Sequence, residues 1–115
     1  MNSARQIKLF VFPVKDLAQA KTLFGAYLGA ELYMDESYYV GYRIGDQEVG
    51  LVPNAPDQAT HGPIAYVDVS DIKASLAALV EAGGKVHQEI RDVGGGRLVA
   101  SVTDAAGNEL GLRQG

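Results

Sequence analysis

The sequence carries one pattern twice. In each copy an apolar, β-rich stretch leads to an aspartate, then to a run with helical spacing that ends at glycine, and then to further β-rich segments. The two aspartates are Asp16 and Asp71, and the copies close on similar motifs, Glu-Val-Gly-Leu at 48–51 and Glu-Leu-Gly-Leu at 109–112. Such a repeat marks supersecondary units that cannot bury their apolar faces alone. We therefore expect two similar modules side by side, with a functional site between them.

Each copy predicts the element order βαβββ. Asp16 and Asp71 occupy helix N-cap positions, apolar residues recur after each at helical spacing, and glycines at 29 and 83 end the helices. Strands are predicted at about 6–14, 31–34, 38–44 and 48–52 in the first copy and at about 64–69, 86–90, 97–103 and 109–113 in the second. The predicted class is α+β, as a single domain over residues 1–115. Its parts are module 1 at about 6–52, a proline-marked connector at 53–62 and module 2 at about 63–113.

Composition narrows the class of protein. The 115 residues carry a formal net charge of −4 and no basic run, which argues against nucleic acid or an anionic membrane as a partner. The chain has no cysteine, so disulfides, thiolate nucleophiles and thiolate metal sites are excluded. It opens without an apolar signal segment, and no run approaches the ~18 apolar residues of a membrane span. We expect a soluble protein of the cytoplasm.

Four segments carry a family resemblance. They read V-K-D-L…F…L-G-A at 14–30, I-A-Y-V-D-V-S-D-I from Ile64, D-V-G-G-G-R at 92–97 and V-T-D-A-A-G-N-E-L-G-L at 102–112. In this order they resemble the glyoxalase/bleomycin-resistance/extradiol-dioxygenase group, the vicinal-oxygen-chelate superfamily, over practically the whole chain. The resemblance implies two βαβββ modules in a pseudo-twofold arrangement, with an open, U-shaped cleft and helices outside. It also implies a homodimer, because many members dimerise and an open sheet leaves strand edges to be covered.

The resemblance further gives four positions for metal ligands, which in metal-using members are His, Gln or Glu. The first and third positions fall on Leu9 and Pro63, and the second and fourth fall on Gly50 and Gly111. None of these side chains has a donor atom for a metal ion. We therefore predict a protein without a bound metal and without another cofactor.

A shifted metal site is the alternative. His61 lies two residues before Pro63 and so shares its strand face, if the strand extends that far. Glu48 and Glu109 precede the two glycines by the same spacing. One histidine with two glutamates would suit zinc or iron. Against this site, His61 stands in the connector, and both glutamates directly follow turns, where solvated rim residues are expected. His87 is interpreted as an exposed strand residue.

Strand alternation predicts which residues line the cleft. They are mostly apolar or small, with a few charged groups and a tyrosine, as is typical of a small-molecule site. The predicted lining consists of Leu9, Val11, Tyr39, Arg43, Glu48, Gly50, Pro63, Ala65, Val67, Arg97, Val99, Ser101, Glu109, Gly111 and Arg113.

Two functions from different classes remain. The first is a metal-free protein that binds or sequesters a small organic compound, as in the bleomycin-resistance branch that the chain resembles. The second is a glyoxalase- or dioxygenase-like enzyme, acting as a lyase, isomerase or oxygenase. Such an enzyme would use either the shifted metal site or acid–base catalysis by Glu48, Glu109, Arg43 or Tyr39. An interaction module with a vestigial cleft is a third interpretation. The missing ligand atoms favour the first.

Overall fold

The computed structural model describes residues 4–53 and 62–115, and these ranges contain two helices and eight strands. The chain divides into two compact units, one of Lys8–Pro63 and the other of Met1–Ile7 with Ile64–Gly115. The predicted α+β class and the element order βαβββ, repeated once, are confirmed. Neither helix of the described ranges has the length and apolar character that a membrane span requires. Most of the predicted connector, including His61, lies outside the described residues.

The first module is a four-stranded sheet with one helix against it. Its elements are β1 (Ile7–Val14), α1 (Leu17–Leu28), β2 (Glu31–Glu36), β3 (Tyr39–Ile44) and β4 (Gln47–Pro53). The strand order is β2-β3-β4-β1, and only the pair of β1 and β4 is parallel. Helix α1 covers one face, over a core of Val40, Tyr42, Val49 and Leu51. The opposite face of this sheet, and the corresponding face of the second module, are called the helix-free faces below.

Local chemistry fixes α1 at both ends and along its length. The carboxylate of Asp16 accepts a hydrogen bond from the backbone N–H of Gln19 at 3.0 Å, as the N-cap prediction requires. Gly29 ends the helix in the left-handed conformation, with φ of 61°. The hydroxyl of the buried Tyr42 donates to the carbonyl of Lys21 at 2.5 Å, which ties the middle of the helix to the sheet.

The second module repeats this design. Its elements are β5 (Ile64–Asp68), α2 (Ile72–Glu81), β6 (Lys85–Asp92), β7 (Leu98–Thr103) and β8 (Glu109–Gln114). The strand order is β5-β8-β7-β6, with β5 and β8 parallel. The core beneath α2 consists of Ile72, Leu76, Ala100, Val102 and Leu112. Asp71 caps the helix by accepting a hydrogen bond from the N–H of Ala74 at 3.2 Å, again as predicted.

Strand β5 faces the opposite way from the prediction. Val67 packs against the core beneath α2, so alternation also turns Ala65 toward the helix, and Tyr66 lies on the helix-free face. The cause is an alignment offset of one residue, which inverts a whole strand. Leu9 lies seven residues before its N-cap, Asp16, whereas Pro63 lies eight residues before Asp71. The assignments of Ala65 and Val67 to a cleft face were therefore wrong.

Candidate functional site

A glutamate organises the helix-free face of the first module. Glu48 accepts a hydrogen bond from the Tyr33 hydroxyl at 3.2 Å and lies 3.5 Å from the guanidinium of Arg43. The Arg43 guanidinium also stacks over the Tyr33 ring, 4.4 Å from its centroid, as a cation–π contact. The Tyr33 and Tyr39 hydroxyls are 3.3 Å apart. With only 20% of its side-chain surface exposed, Glu48 is not the solvated rim residue that the sequence predicted.

Tyr33 reaches this cluster through an irregularity in its strand. The register between β2 and β3 shifts between Leu32 and Met34, so a β-bulge places the Tyr33 side chain over β3. Burial raises the pKa of Tyr33 above its usual value of 10.0, and the Glu48 carboxylate raises it further, outweighing the lowering by Tyr39 and Arg43. At neutral pH Tyr33 is therefore a hydrogen-bond donor.

Three glycines on the helix-free faces lie beneath tyrosine rings. A methyl group added to Gly41 would lie 2.5 Å from the ring carbon Cζ of Tyr33, and one added to Gly50 would lie 2.5 Å from Cζ of Tyr39. In the second module, Cδ1 of Tyr66 lies 2.5 Å from the corresponding point on Gly111. Only glycine admits such close ring contacts. The sequence analysis included Tyr39 in the predicted cleft lining but neither Tyr33 nor Tyr66.

A second glutamate organises the helix-free face of the second module. Glu109 Oε2 accepts hydrogen bonds from the Ser101 hydroxyl at 2.6 Å and from the Gln88 amide at 2.9 Å. The other oxygen, Oε1, lies 3.8 Å from Nε2 of His87. Ser101 is 1% exposed, and the Glu109 side chain 10% exposed, so the carboxylate is held by neutral donors in a largely dry setting. This glutamate, too, is not a solvated rim residue.

Gln88 is a residue that the sequence analysis missed, and His87, which is an exposed strand residue as predicted, also lies beside the Glu109 carboxylate. Strand β6 has register shifts between Val86 and Gln88 and between Gln88 and Arg91. These irregularities bring two consecutive side chains, those of His87 and Gln88, to one carboxylate, which a regular strand would prevent because neighbours alternate between faces. The strand period gave no signal for either residue, since the position of a bulge cannot be derived from alternation.

The remaining predicted residues are distributed over both modules. Leu9, Val11 and Val99 are buried, as is Ser101. Arg113 lies opposite Asp68 in the β5–β8 ladder and donates to its carboxylate through Nε at 2.6 Å and a terminal nitrogen at 3.3 Å.

Arg97 and Pro63 lie outside the strands. Arg97 is exposed at the end of a hairpin tip, where its backbone N–H donates to Gly94 and its carbonyl accepts from Val93. Pro63 precedes β5, which begins at Ile64.

The positions equivalent to metal ligands do not suit a metal ion. Val11 pairs with Gly50 and Tyr66 with Gly111, so the structural equivalent of Leu9 in the second module is Ile64, two residues before Tyr66. The third ligand position therefore falls on Ile64 rather than on Pro63, and the side chain of isoleucine likewise has no donor atom for a metal ion. The described ranges contain no group of three or more His, Cys, Asp or Glu residues placed to hold a metal.

Comparisons with known proteins agree with this fold. The model of the Glyoxalase/Bleomycin resistance protein/Dioxygenase superfamily matches residues 6–112. A search of curated proteins found no match. A hypothetical protein from Bacillus halodurans has a solved structure with a TM-score of 0.80 and 14% identity, covering 98% of this chain and 96% of that one.

Two further solved structures are similar over nearly their whole length. A superfamily member from Vibrio splendidus has a TM-score of 0.72 and 15% identity, covering 97% of this chain and 100% of that one. A variant of Streptomyces coelicolor methylmalonyl-CoA epimerase, in complex with 2-nitronate-propionyl-CoA, has a TM-score of 0.75 and 18% identity, covering 97% and 98%. At these identities the likeness shows the fold alone.

Proposed function

Because the chain belongs to the glyoxalase/bleomycin-resistance/dioxygenase superfamily, we propose that it binds or sequesters a small organic compound without a metal ion. The observation that carries this proposal is what stands at the ligand positions. Leu9, Ile64, Gly50 and Gly111 offer no donor atom, and the rings of Tyr39 and Tyr66 cover the two glycines. Resistance to a toxic compound by sequestration, as in the bleomycin-resistance branch, is the biological role proposed.

The first module supplies groups suited to recognising such a compound. Arg43 has 52% of its side-chain surface exposed and is held by the Tyr33 ring and by Glu48. A guanidinium fixed in this way suits a carboxylate, phosphate or carbonyl substituent. Tyr39 adds an aromatic surface, and the buried Leu9 and Val11 belong to the same sheet face. Apolar surface with a few oriented polar groups is the usual profile of a small-molecule site.

The solved relatives support an organic ligand in general terms. Methylmalonyl-CoA epimerase, with the same fold, has been solved in complex with methylmalonyl-CoA and NH4+. That ligand is bound by the epimerase. For this chain we propose only that the same fold binds a small organic ligand.

A ligand screen by thermal shift tests the proposal. The protein is screened against natural products and metabolites in buffer with EDTA, because a compound that binds the native state raises the melting temperature by mass action. We expect at least one compound to stabilise the wild type and to lose its effect in Arg43→Gln. Arg5→Gln, a matched change at an exposed arginine in the described residues, should keep the effect. A compound whose stabilisation disappears with EDTA would contradict metal-free binding.

Metal-free acid–base catalysis is the second candidate. The observation that favours it is the geometry at Glu109. Ser101 and Gln88 donate hydrogen bonds to Oε2 of this carboxylate, and Nε2 of His87 lies 3.8 Å from Oε1. A carboxylate beside an imidazole is a recurrent feature of sites in which histidine acts as a general base. Turnover of a compound found in the screen, lost in His87→Gln with binding retained, would favour this candidate over sequestration.

We further propose that the protein is a homodimer in the cytoplasm. The absence of cysteine is compatible with a reducing compartment, and the net charge of −4 disfavours anionic surfaces. The strand edges at β2 and β6 favour association with a second copy.

A further inference from the structure

Helix α2 carries its charges in the wrong order for its own dipole. Lys73 lies in the first turn and Glu81 is the last residue of the helix, which has no acidic residue in its first turn and no basic residue in its last. The N-terminus of a helix has a partial positive charge and the C-terminus a partial negative one, so both residues are repelled by their nearest helix end. Among the described residues, neither forms an ion pair. These charges do not stabilise the isolated helix.

The same two residues mark the ends of an apolar groove. An open surface groove of about 850 Å³ lies between α2 and β6, the outermost strand of the second module. Val80, Val86 and Ile90 contribute apolar side chains, and Val80 is 45% exposed. Ala77 stands halfway between Lys73 and Glu81 and is exposed, so little bulk separates the helix from an approaching element.

The spacing of these residues is self-complementary. Lys73, Ala77 and Glu81 follow one another at intervals of four and therefore share a face of α2. The two charges are about 12 Å apart along the axis, at a rise of 1.5 Å per residue. An antiparallel copy of α2, related by a twofold axis near Ala77, would bring Lys73 opposite the partner's Glu81, and Glu81 opposite the partner's Lys73. A twofold interface forms each contact twice.

We infer that this face of α2 is an interface with a second copy of the chain, with the two α2 helices antiparallel. The antiparallel arrangement also reverses the dipole effect, because Lys73 then lies beside the negative end of the partner helix and Glu81 beside the positive end. Charges that oppose the monomer thus favour the dimer. The inference rests on the homodimer of the proposed function and adds its surface and its charge register.

Charge reversal tests the interface by sedimentation velocity over a range of protein concentrations. Lys73→Glu and Glu81→Lys each create like-charge contacts at both ends of the twofold pair, and we expect the dimer dissociation constant to rise about tenfold or more. The double variant, Lys73→Glu with Glu81→Lys, restores opposite charges across the axis and should regain much of the dimer affinity, short of the wild type because each charge then faces the like-signed end of the partner helix. Lys15→Glu, an exposed lysine outside the groove, is the matched control and should leave the dimer unchanged.

Thermal melting separates lost association from lost folding. Each single reversal improves the match between charge and dipole within α2, so the monomeric variants should fold and melt no lower than a monomeric wild type. Dimers of equal strength in all variants would place the interface elsewhere and overturn the inference while leaving the homodimer intact. A wild type that sediments as a single chain at every concentration would overturn both. Two monomeric single variants without rescue in the double variant would also contradict the charge register.

Discussion

At the scale of single residues, glycine and tyrosine form the surface where metal ligands would be expected. Gly50 and Gly111 are not vacant positions, because Tyr39 and Tyr66 occupy the space that a side chain would need. At Gly50 and Gly111 the surface is therefore aromatic. A tyrosine presents a large apolar face and keeps a hydroxyl for hydrogen bonds, which suits recognition of an organic ligand.

The first prediction concerns the contact between Gly111 and Tyr66. Gly111→Ala should destabilise the protein by about 1–3 kcal/mol, because the new methyl group overpacks against the Tyr66 ring. In a Tyr66→Ala background the same change should cost little, since the obstructing ring is gone and Gly111 has no positive φ to preserve. Urea denaturation of the four proteins in this cycle measures the coupling. Equal costs in both backgrounds would contradict the contact.

The second prediction is a pH dependence at Asp104. Hydrogen bonds from Asn108 hold the pKa of this carboxyl below its usual value of 3.8, with further bonds from the Ala106 and Gly107 backbone. A depressed folded-state pKa contributes stability above the unfolded pKa, and that contribution is lost as the pH falls through the folded value. The wild type should therefore melt above Asp104→Asn at pH 7, with the gap closing as the pH falls toward 3 and below. A gap that stays constant would contradict the assignment.

At the scale of elements, the features that were predicted from the sequence are those that depend on neighbouring residues, such as helix ends. The caps at Asp16 and Asp71, the helix end at Gly29 and the repeated element order βαβββ follow from spacing and residue type, and each is confirmed. The facing of β5 was wrong because one residue of offset inverts a strand. An alignment anchored on the two caps, rather than on the restart motif, would have placed Val67 beneath its helix.

Bulges limited the prediction of the candidate site. Tyr33 and His87 both sit at register shifts, where an extra residue re-aims side chains in a way that alternation does not encode. Glu48 and Glu109 were among the residues predicted from the sequence, but their hydrogen bonds to Tyr33 and Gln88 come from those bulged strands. Hydrogen-bonded surroundings of this kind depend on tertiary packing and are not visible in a strand pattern.

The third prediction tests the cap of α2. Asp71→Ala should lower the free energy of unfolding by about 1 kcal/mol, because the N–H of Ala74 loses its acceptor. Asp71→Ser retains a capping oxygen and should recover most of the loss. Chemical denaturation gives both values. If serine were as destabilising as alanine, the carboxylate charge, rather than the cap hydrogen bond, would be responsible.

At the scale of the whole molecule, the two similar modules give their glutamates different surroundings. Glu48 lies among tyrosines and an arginine, whereas Glu109 lies among serine, glutamine and histidine. The apolar and aromatic share of both faces favours an organic compound over an ion.

The most direct test of metal-free binding is a calorimetric titration of the compound found in the screen. The titration is run on chelator-treated protein with EDTA present and repeated after equilibration with zinc. We predict the same dissociation constant and stoichiometry in both titrations. The four positions where metal ligands would be expected hold Leu9, Ile64, Gly50 and Gly111, whose side chains have no metal-donor atom. Binding that is absent in EDTA and appears with one equivalent of zinc would contradict the account.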